Sequence, residues 1–288
     1  MSRTRTGQFG IGFRRGGGDW QQDITSLLQW AKESGFECLD VRGNPDDVRA
    51  VIDAGLAVGS ADLPDGRGMM APDAGLRDQA VEANAEFVRA CKGLVRNFFV
   101  VMLPKDPARP RPENFGYMVD SYGRLAPTLE ECGGRIVIEG WPGPGALCCT
   151  PETIRALLKE IDSPAMGINY DPSHLIRMGI DPLRVLREFA GRVGHVHGKD
   201  TEILTERLYE LGTEQPPTFA ERIGFGGGHW RYTIPGHGQM RWTKAFDILA
   251  GAGYEGRVSI ELEDASFNGS EAGEKQGLLL AKQVLEGC

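Results

Sequence analysis

Residues 166–174 read MGINYDPSH, an apolar strand pattern that runs into Asp171, a proline and then His174. One interpretation is that a helix begins here and that Asp171 caps its first turn. A second interpretation is that a carboxylate and an imidazole stand at the open end of a parallel sheet, where they bind a metal or take part in catalysis. The rest of the chain decides between them.

Seven further runs share the short, apolar, β-rich character of this strand: 9–13, 36–41, 56–63, 98–103, 135–140, 193–198 and 257–262. Longer amphipathic stretches alternate with them: 20–34, 45–55, 74–92, 113–132, 151–161, 182–190, 241–252 and 271–286. Strands that alternate with helices of this length predict βα units and a parallel sheet. Eight such units predict a single (β/α)8 TIM barrel over residues 1–288, with an open doubly wound sheet as the alternative.

Residues 201–240 lie between the seventh predicted strand and its helix, and this stretch is too long for an ordinary connection. It carries GFGGGHW at 224–230, then Arg231, then IPGHG at 234–238. Long ordered loops in compact domains usually serve as lids or binding loops. We therefore expect a loop insertion over the barrel mouth that brings Arg231 or His237 near a ligand.

The composition narrows the classes of partner. A formal net charge of −8 does not favour nucleic acid, because phosphate binding requires a basic face. The chain has no apolar stretch near the roughly 20 residues that span a bilayer, and MSRTRTGQFGIGF at the start has no apolar signal region. Six cysteines without a CxxC pair indicate reduced thiols. We expect a cytoplasmic protein with a small-molecule substrate, without nucleic-acid or membrane partners; the sequence also allows a homo-oligomer.

Four ionisable residues stand at the ends of four consecutive predicted strands: Glu139, Asp171, His197 and Glu261. In a barrel the active site lies where strands end and βα loops begin, so these side chains should converge. Three crowded carboxylates repel one another, and a bound divalent cation relieves that repulsion. The oxygen-rich ligand set suits Mn²⁺ or Mg²⁺, with Zn²⁺ or Co²⁺ as alternatives.

Each of these residues has a less specific interpretation. Glu139 alone would fit a surface salt bridge at a strand end. Glu263 shares a strand face with Glu261, because side chains alternate with a period of two, but it should already lie in the loop. His195 shares a face with His197, one layer deeper, where a hydrogen-bonded core histidine is more common. Four coincidences at matching strand ends are improbable, so we favour the joint site.

Five motifs in this order resemble the sugar phosphate isomerase/epimerase family, the xylose isomerase-like TIM barrels: IEGWPG at 138–143, NYDPSHL at 169–175, HVHGKD at 195–200, PGHG at 235–238 and SIELED at 259–264. That superfamily includes ketose 3-epimerases, inosose dehydratases and endonuclease IV. The resemblance implies that Glu139, Asp171, His197 and Glu261 bind one divalent metal ion. It implies that His174 contacts substrate and, more weakly, that Arg231 clamps it.

Other side chains fit a substrate-binding role from their chemistry. Lys199, Arg231 and Arg42 could hold a phosphate, although no glycine-rich phosphate motif accompanies them. Trp141 and Trp230 could pack on a sugar face or fill a local core.

The resemblance implies a metal-dependent isomerase or epimerase of a small sugar, sugar phosphate or polyol. Glu139 and Glu261 would move a proton through a metal-stabilised enediolate. The alternatives are a dehydratase of an inosose-like substrate and a sugar-binding barrel without turnover. The nuclease branch needs extra histidines on strands two and three and in the long loop. The ends of strands two and three have Asp40, Arg42 and Asp62 and no histidine, so a trinuclear zinc endonuclease is disfavoured.

Overall fold

The computed structural model describes residues 2–288. Its strands are β1 (Ile11–Arg14), β2 (Cys38–Val41), β3 (Ala57–Asp62), β4 (Asn97–Val101), β5 (Arg135–Glu139), β6 (Met166–Tyr170), β7 (Val193–Gly198), β8 (Asp200–Ile203), β9 (Trp230–Thr233) and β10 (Val258–Ile260). Its α-helices are α1 (Ile24–Glu33), α2 (Pro45–Asp53), α3 (Ala74–Ala90), α4 (Arg111–Cys132), α5 (Pro151–Glu160), α6 (Pro172–Arg177), α7 (Pro182–Phe189), α8 (Thr205–Leu211), α9 (Trp242–Gly251) and α10 (Glu271–Glu286). None of these helices combines the length and the apolar character that a bilayer crossing requires.

Eight parallel strands close into a barrel in the order β1, β10, β7, β6, β5, β4, β3, β2. The first and last strands of the barrel join through the pairs Ile11↔Val258 and Phe13↔Ile260. The fold is therefore a single (β/α)8 TIM barrel, as predicted, and the open-sheet alternative is wrong. Strands β6 and β7 are buried along their whole length, because helices cover the outside of a parallel barrel and side chains fill the inside.

The helix starts follow from local sequence chemistry. Asn44, Asp171 and Asp181 each precede a proline at the first helical position, and each side chain accepts a hydrogen bond from a backbone N–H of the first turn. Helix α4 ends at Gly133, which has φ +69°, a conformation that a glycine adopts without steric cost. These caps agree with the helix boundaries that the amphipathic stretches predicted.

The insertion after β7 contains regular structure that the sequence pattern did not predict. Strands β8 and β9 form a separate antiparallel sheet, in which Thr201 lies opposite Tyr232, and α8 lies between them in the chain. Residues 201–240 are therefore not simply a loop. The strands are short and their partners lie about 30 residues apart, so no local turn signal marks the pairing.

The chain forms two compact units. The first comprises the residues up to Cys38 with Asp171–Ala190 and His197–Cys288, and it holds β1, β10, the β8–β9 sheet and α6 to α10. The second comprises Leu39–Tyr170 with Gly191–Val196, and it holds β3 to β6 and α2 to α5. Most of the charged and imidazole side chains described next belong to the first unit.

Candidate active site

Asp171, the first residue after β6, has two distinct roles for its two carboxylate oxygens. Oδ1 accepts a hydrogen bond of 2.8 Å from the Ser173 N–H and so caps α6. Oδ2 lies 3.4 Å from His174 Nε2 and 4.0 Å from His197 Nδ1. The helix-capping interpretation is therefore confirmed. The other oxygen faces two buried imidazoles, and its role in metal binding or catalysis stays a prediction.

Glu261 immediately follows β10 and lies at the centre of the same polar cluster. Its Oε2 is 3.5 Å from His197 Nδ1, and its Oε1 is 3.3 Å from Arg14 Nε. Asp171, His174 and Glu261 each offer a ligand atom, and these atoms lie within 4.8 Å of one another. The first unit thus brings together three of the four predicted metal ligands with the predicted substrate-binding His174.

Lys199 is the cation of this cluster. The Lys199 side chain is only 1% exposed. Its Nζ lies 3.2 Å from Asp171 Oδ2 and 2.9 Å from Glu263 Oε2, and it also donates a hydrogen bond to Glu261 Oε2. Nζ also lies 4.6 Å from the centre of the Tyr232 ring. Burying three carboxylates so close together is unfavourable without a cation, and Lys199 provides one positive charge. Glu263 contacts Lys199 as well, although it lies beyond the end of β10, in the loop as expected.

Tyr232, on β9, is a site residue that the sequence did not reveal. Its hydroxyl lies 2.7 Å from His174 Nδ1, and burial raises the pKa of this phenol. Arg177 on α6 lies over the rings of Trp230 and Tyr232, at 4.6 and 5.5 Å. The insertion therefore reaches the cluster through Tyr232. The only sequence signal for β9 is the alternation of side chains over residues 230–233, and four residues are too few for this pattern to predict a strand.

Two polar pairs belong to the second unit. Glu139, the last residue of β5, is buried and accepts a hydrogen bond from Asn169 Nδ2. Glu139 also pairs in register with Asn169, which stands two residues before Asp171 in the chain. Deeper in the barrel, His195 Nε2 lies 2.8 Å from Asp40 Oδ2, and Asp40 Oδ1 accepts from the Ser60 N–H. This confirms the interpretation of His195 as a hydrogen-bonded core histidine.

The other predicted substrate-binding residues occupy more peripheral positions. Arg231 Nε donates to Glu202 Oε2 at 2.7 Å, and the guanidinium also lies 3.4 Å from Ser266 Oγ. Trp141 is half-buried in the segment after β5, and His237 is exposed with its ring 6.2 Å from that of Phe267. The substrate roles of Arg231, Trp141 and His237 stay predictions.

The donor set fits a hard divalent cation. Adjacent ligands of an octahedral Mg²⁺ site lie about 3 Å apart, since each stands 2.0–2.1 Å from the ion. The separations of 3.4–4.0 Å between Asp171, His174 and His197 are only slightly larger. Carboxylates with imidazole suit Mn²⁺, Mg²⁺, Zn²⁺ or Co²⁺, so the ligand chemistry does not select one metal.

A closed parallel barrel with such a cluster at the carboxyl ends of its strands has the architecture of a TIM-barrel enzyme. The chain belongs to the xylose isomerase-like TIM barrel family, whose sequence model matches residues 28–284. Inosose dehydratases are among the curated relatives of the chain, and sugar epimerases are among the solved structures that share its fold.

Curated relatives match about half of the chain. The uncharacterized protein YfiH of Bacillus subtilis (strain 168) is 35% identical over 170 residues, which are 56% of this chain and 50% of that protein. Inosose dehydratase of Geobacillus thermodenitrificans (strain NG80-2) is 32% identical over 151 residues, which are 52% of this chain and 48% of the relative. The chain thus spans about half the length of these relatives.

Solved structures match almost the whole chain at lower identity. The 3-keto-D-glucoside 4-epimerase YcjR from E. coli has a TM-score of 0.71 at 16% identity, over 97% of this chain and all of that one. D-psicose 3-epimerase from Clostridium cellulolyticum H10 has a TM-score of 0.70 at 15% identity, with the same coverage. An AP endonuclease, family 2, from Brucella melitensis has a TM-score of 0.67 at 17% identity, over 96% of this chain and 97% of the other. At these identities the likeness establishes the shared fold.

Proposed function

We propose that the protein is a divalent-metal-dependent isomerase or epimerase of a small sugar, sugar phosphate or polyol. The observation that carries this proposal is the cluster around Asp171 Oδ2, where two imidazoles and the Lys199 ammonium converge beside Glu261. Epimerase-like members of the family generally use a divalent metal, which supports the same conclusion.

We assign the metal to Asp171, His197 and Glu261, with Glu139 as the fourth ligand. Glu139 ends the strand next to β6, and its register partner Asn169 lies two residues before Asp171, which supports this assignment. A bound cation would supply Lewis acidity toward a carbonyl oxygen and a neighbouring hydroxyl oxygen of the substrate. Mn²⁺ or Mg²⁺ is the preferred ion, because three of the four ligands are carboxylates. Six cysteines without a CxxC pair support a reducing, cytoplasmic setting.

The two glutamates are the proposed proton-transfer groups. One removes the proton on the carbon next to the carbonyl, and the other returns a proton to the resulting enediolate. Return to the opposite face of the same carbon gives epimerisation, while return to the neighbouring carbon gives aldose–ketose isomerisation. Asn169 holds Glu139, and Arg14 and Lys199 hold Glu261, so each carboxylate has a fixed orientation before substrate binds.

His174 is the proposed substrate-binding imidazole. Tyr232 lies at its Nδ1, which leaves Nε2 on the side of Asp171 and of the substrate hydroxyls. We propose that Lys199 binds a substrate oxygen from within the cluster and that Arg231 and Trp141 contact the more distant end of the substrate.

A second candidate is a dehydratase of an inosose-like substrate. The matches to inosose dehydratases at 27–32% identity favour it. The first proton transfer is the same in both cases, and loss of a β-hydroxyl from the enediolate then replaces reprotonation.

Exchange with solvent deuterium tests the proposal and separates its branches. Protein loaded with Mn²⁺ is incubated in D₂O with a panel of ketoses, ketose phosphates and inososes, and the products are followed by NMR. We expect deuterium at one carbon of an isomer or epimer; loss of water to an unsaturated ketone would instead identify the dehydratase. Glu139→Gln is the control that should abolish exchange. A protein that binds sugars without any exchange would overturn the proposal in favour of a binding role.

A further inference from the structure

A cavity of about 700 Å³ adjoins the cluster on one side of Glu261. The segment after β1 (residues 14–18), the segment after β10 (residues 261–269) and α10 line it, and Gly224 and Phe225 of the insertion also lie against it. Among the described residues 2–288, Glu261 is the member of the proposed metal set that lines this cavity; Asp171 and His197 do not. The cavity is therefore an extension of the site and not the metal site itself.

The size of this cavity exceeds what the proposed reaction requires. Pockets of 300–1,000 Å³ usually bind ligands of drug size, well beyond a single monosaccharide ring. A monosaccharide bound at the cluster by His174 and Glu261 would leave most of this volume to water. The space beside Glu261 is better explained by a substrate with a second ring.

The lining is chemically mixed. Hydrogen-bonding side chains include Arg14, Gln21 and Asn268, while Phe225 and Leu278 offer apolar surface. Five of the lining residues are glycines, so the backbone lies open to a ligand: Gly16, Gly17, Gly18, Gly224 and Gly269. Donors, acceptors and apolar patches interspersed in this way match a sugar ring, which alternates hydroxyl groups with C–H faces.

The charges argue against a strongly anionic occupant. Arg14 and Arg15 are accompanied in the lining by three carboxylates, Glu261, Glu263 and Glu274. Arg14 already pairs with Glu261 at 3.3 Å, and Glu274 accepts from Trp20 Nε1 at 2.7 Å. A phosphate in this cavity would face more negative than positive charge, so a neutral occupant is favoured.

We propose that this cavity binds a second, uncharged sugar ring, and hence that the enzyme acts on glycosides of two sugar units rather than on free monosaccharides. This inference rests on the proposed function, because it places the reacting ring at the cluster and the other ring beyond Glu261.

Binding to the Mn²⁺-loaded protein tests the inference without requiring turnover. Calorimetry or ligand-detected NMR compares cellobiose, maltose and lactose with glucose, galactose and glucose 6-phosphate. We expect at least one disaccharide to bind about tenfold or more tightly than its component monosaccharides, a difference of about 1.4 kcal/mol. Equal binding, binding of no disaccharide, or preference for glucose 6-phosphate would overturn the inference.

Substitutions that fill the cavity test its location. Gly17 lines the cavity, and an added Cβ there meets no atom within 4 Å, so Gly17→Trp fills space without a backbone clash. Ala265→Trp adds bulk to the cavity from the segment after β10. Both should bring the ratio of disaccharide to monosaccharide affinity close to one. The control is Gly116→Trp at an exposed position of α4, where an added Cβ also meets no atom within 4 Å, and this variant should keep the affinity ratio of the wild type. A ratio unchanged in both cavity variants would place the second ring elsewhere.

The two proposals can fail separately. If disaccharides bind preferentially but no solvent deuterium enters them, the proposed reaction fails and the cavity assignment stands. If monosaccharides bind as well as disaccharides and exchange deuterium, the reaction stands and the second-ring assignment fails.

Discussion

Replacing Lys199 by methionine removes the ammonium group that contacts Asp171, Glu261 and Glu263 together. Methionine fills a similar volume, so the change is mainly one of charge. Breaking a buried ion pair by removal of one partner costs about 3–5 kcal/mol, because the remaining charge stays buried. Glu261 and Glu263 are 18% and 34% exposed, so solvent screens part of the repulsion and the lower figure applies. We expect Lys199→Met to lower the free energy of unfolding of the metal-free protein by about 3 kcal/mol.

The matching change in melting temperature is roughly 6–12 °C, since 1 kcal/mol corresponds to about 2–4 °C in a chain of this size class. Saturating Mn²⁺ should reduce the difference in stability between Lys199→Met and the wild type, because a divalent cation among the same carboxylates replaces the missing charge. Removal of a positive neighbour should also raise the affinity for Mn²⁺ by about tenfold or more. Thermal and urea unfolding with EDTA and with Mn²⁺ measure the two stability effects, and calorimetry measures the affinity for Mn²⁺.

The matched control is Lys244→Met, because Lys244 forms an exposed pair with Asp247 at 3.5 Å and its loss should change stability by less than about 0.5 kcal/mol. The reasoning is refuted if metal-free Lys199→Met is as stable as the wild type. It is also refuted if Mn²⁺ stabilises the variant no more than the wild type, since the cation would then not occupy this cluster.

Glu139→Gln and Glu261→Gln should each lower kcat by about 10²–10⁴-fold while metal is retained at saturating Mn²⁺, because an amide coordinates but has no useful basicity; turnover and metal content measured on the same sample decide this. Arg231→Ala should lower kcat/KM on the true substrate if the side chain leaves Glu202 to clamp substrate, and unchanged kinetics would leave it a packing role within the β8–β9 sheet. Tyr232→Phe removes the hydroxyl at His174 Nδ1 and should raise KM more than it lowers kcat. Because burial raises the pKa of Tyr232 above the unfolded value of about 10, its contribution to stability is complete below that pH and declines above it. The stability advantage of the wild type over Tyr232→Phe should therefore shrink between pH 10 and 11 in urea unfolding, and a constant advantage would show that the hydroxyl ionises as readily in the folded state.

Local patterns were sufficient to predict the barrel. The predicted strand at 193–198 and the predicted helix at 271–286 have the observed bounds, and the other barrel elements agree within four residues at each end. Each barrel strand is a short apolar run, and six of the ten described helices (α1, α2, α3, α6, α7 and α10) begin at a residue whose side chain caps the first turn. These signals are local, so the sequence carries them without knowledge of the tertiary structure.

The site was predictable to the extent that it depends on strand ends. Asp171, His197 and Glu261 converge because consecutive parallel strands end at the same rim, and that follows from spacing alone. The sequence predicted Lys199 as a cation that could hold a substrate phosphate or form an ion pair at the rim with Asp200. Its ammonium instead contacts three carboxylates that lie up to 64 residues away. The strength of that pairing depends on burial and distance, which no spacing rule provides.

The contact of Tyr232 with His174 could not be predicted from the sequence. The Tyr232 hydroxyl contacts His174, which lies 58 residues earlier in the chain. This contact requires β9 to pair with β8 and not to form an irregular loop. The pairing in turn depends on Asp200, whose buried carboxylate accepts from the backbone N–H groups of Thr201 and Met240, at the two ends of the insertion. Burial raises the pKa of Asp200, and these hydrogen bonds oppose that shift by favouring the carboxylate. The residue that positions the insertion therefore lies beside Lys199 in the chain. In the sequence Asp200 is only half of a charged dipeptide, whereas in the structure its carboxylate joins the two ends of the insertion that carries Tyr232.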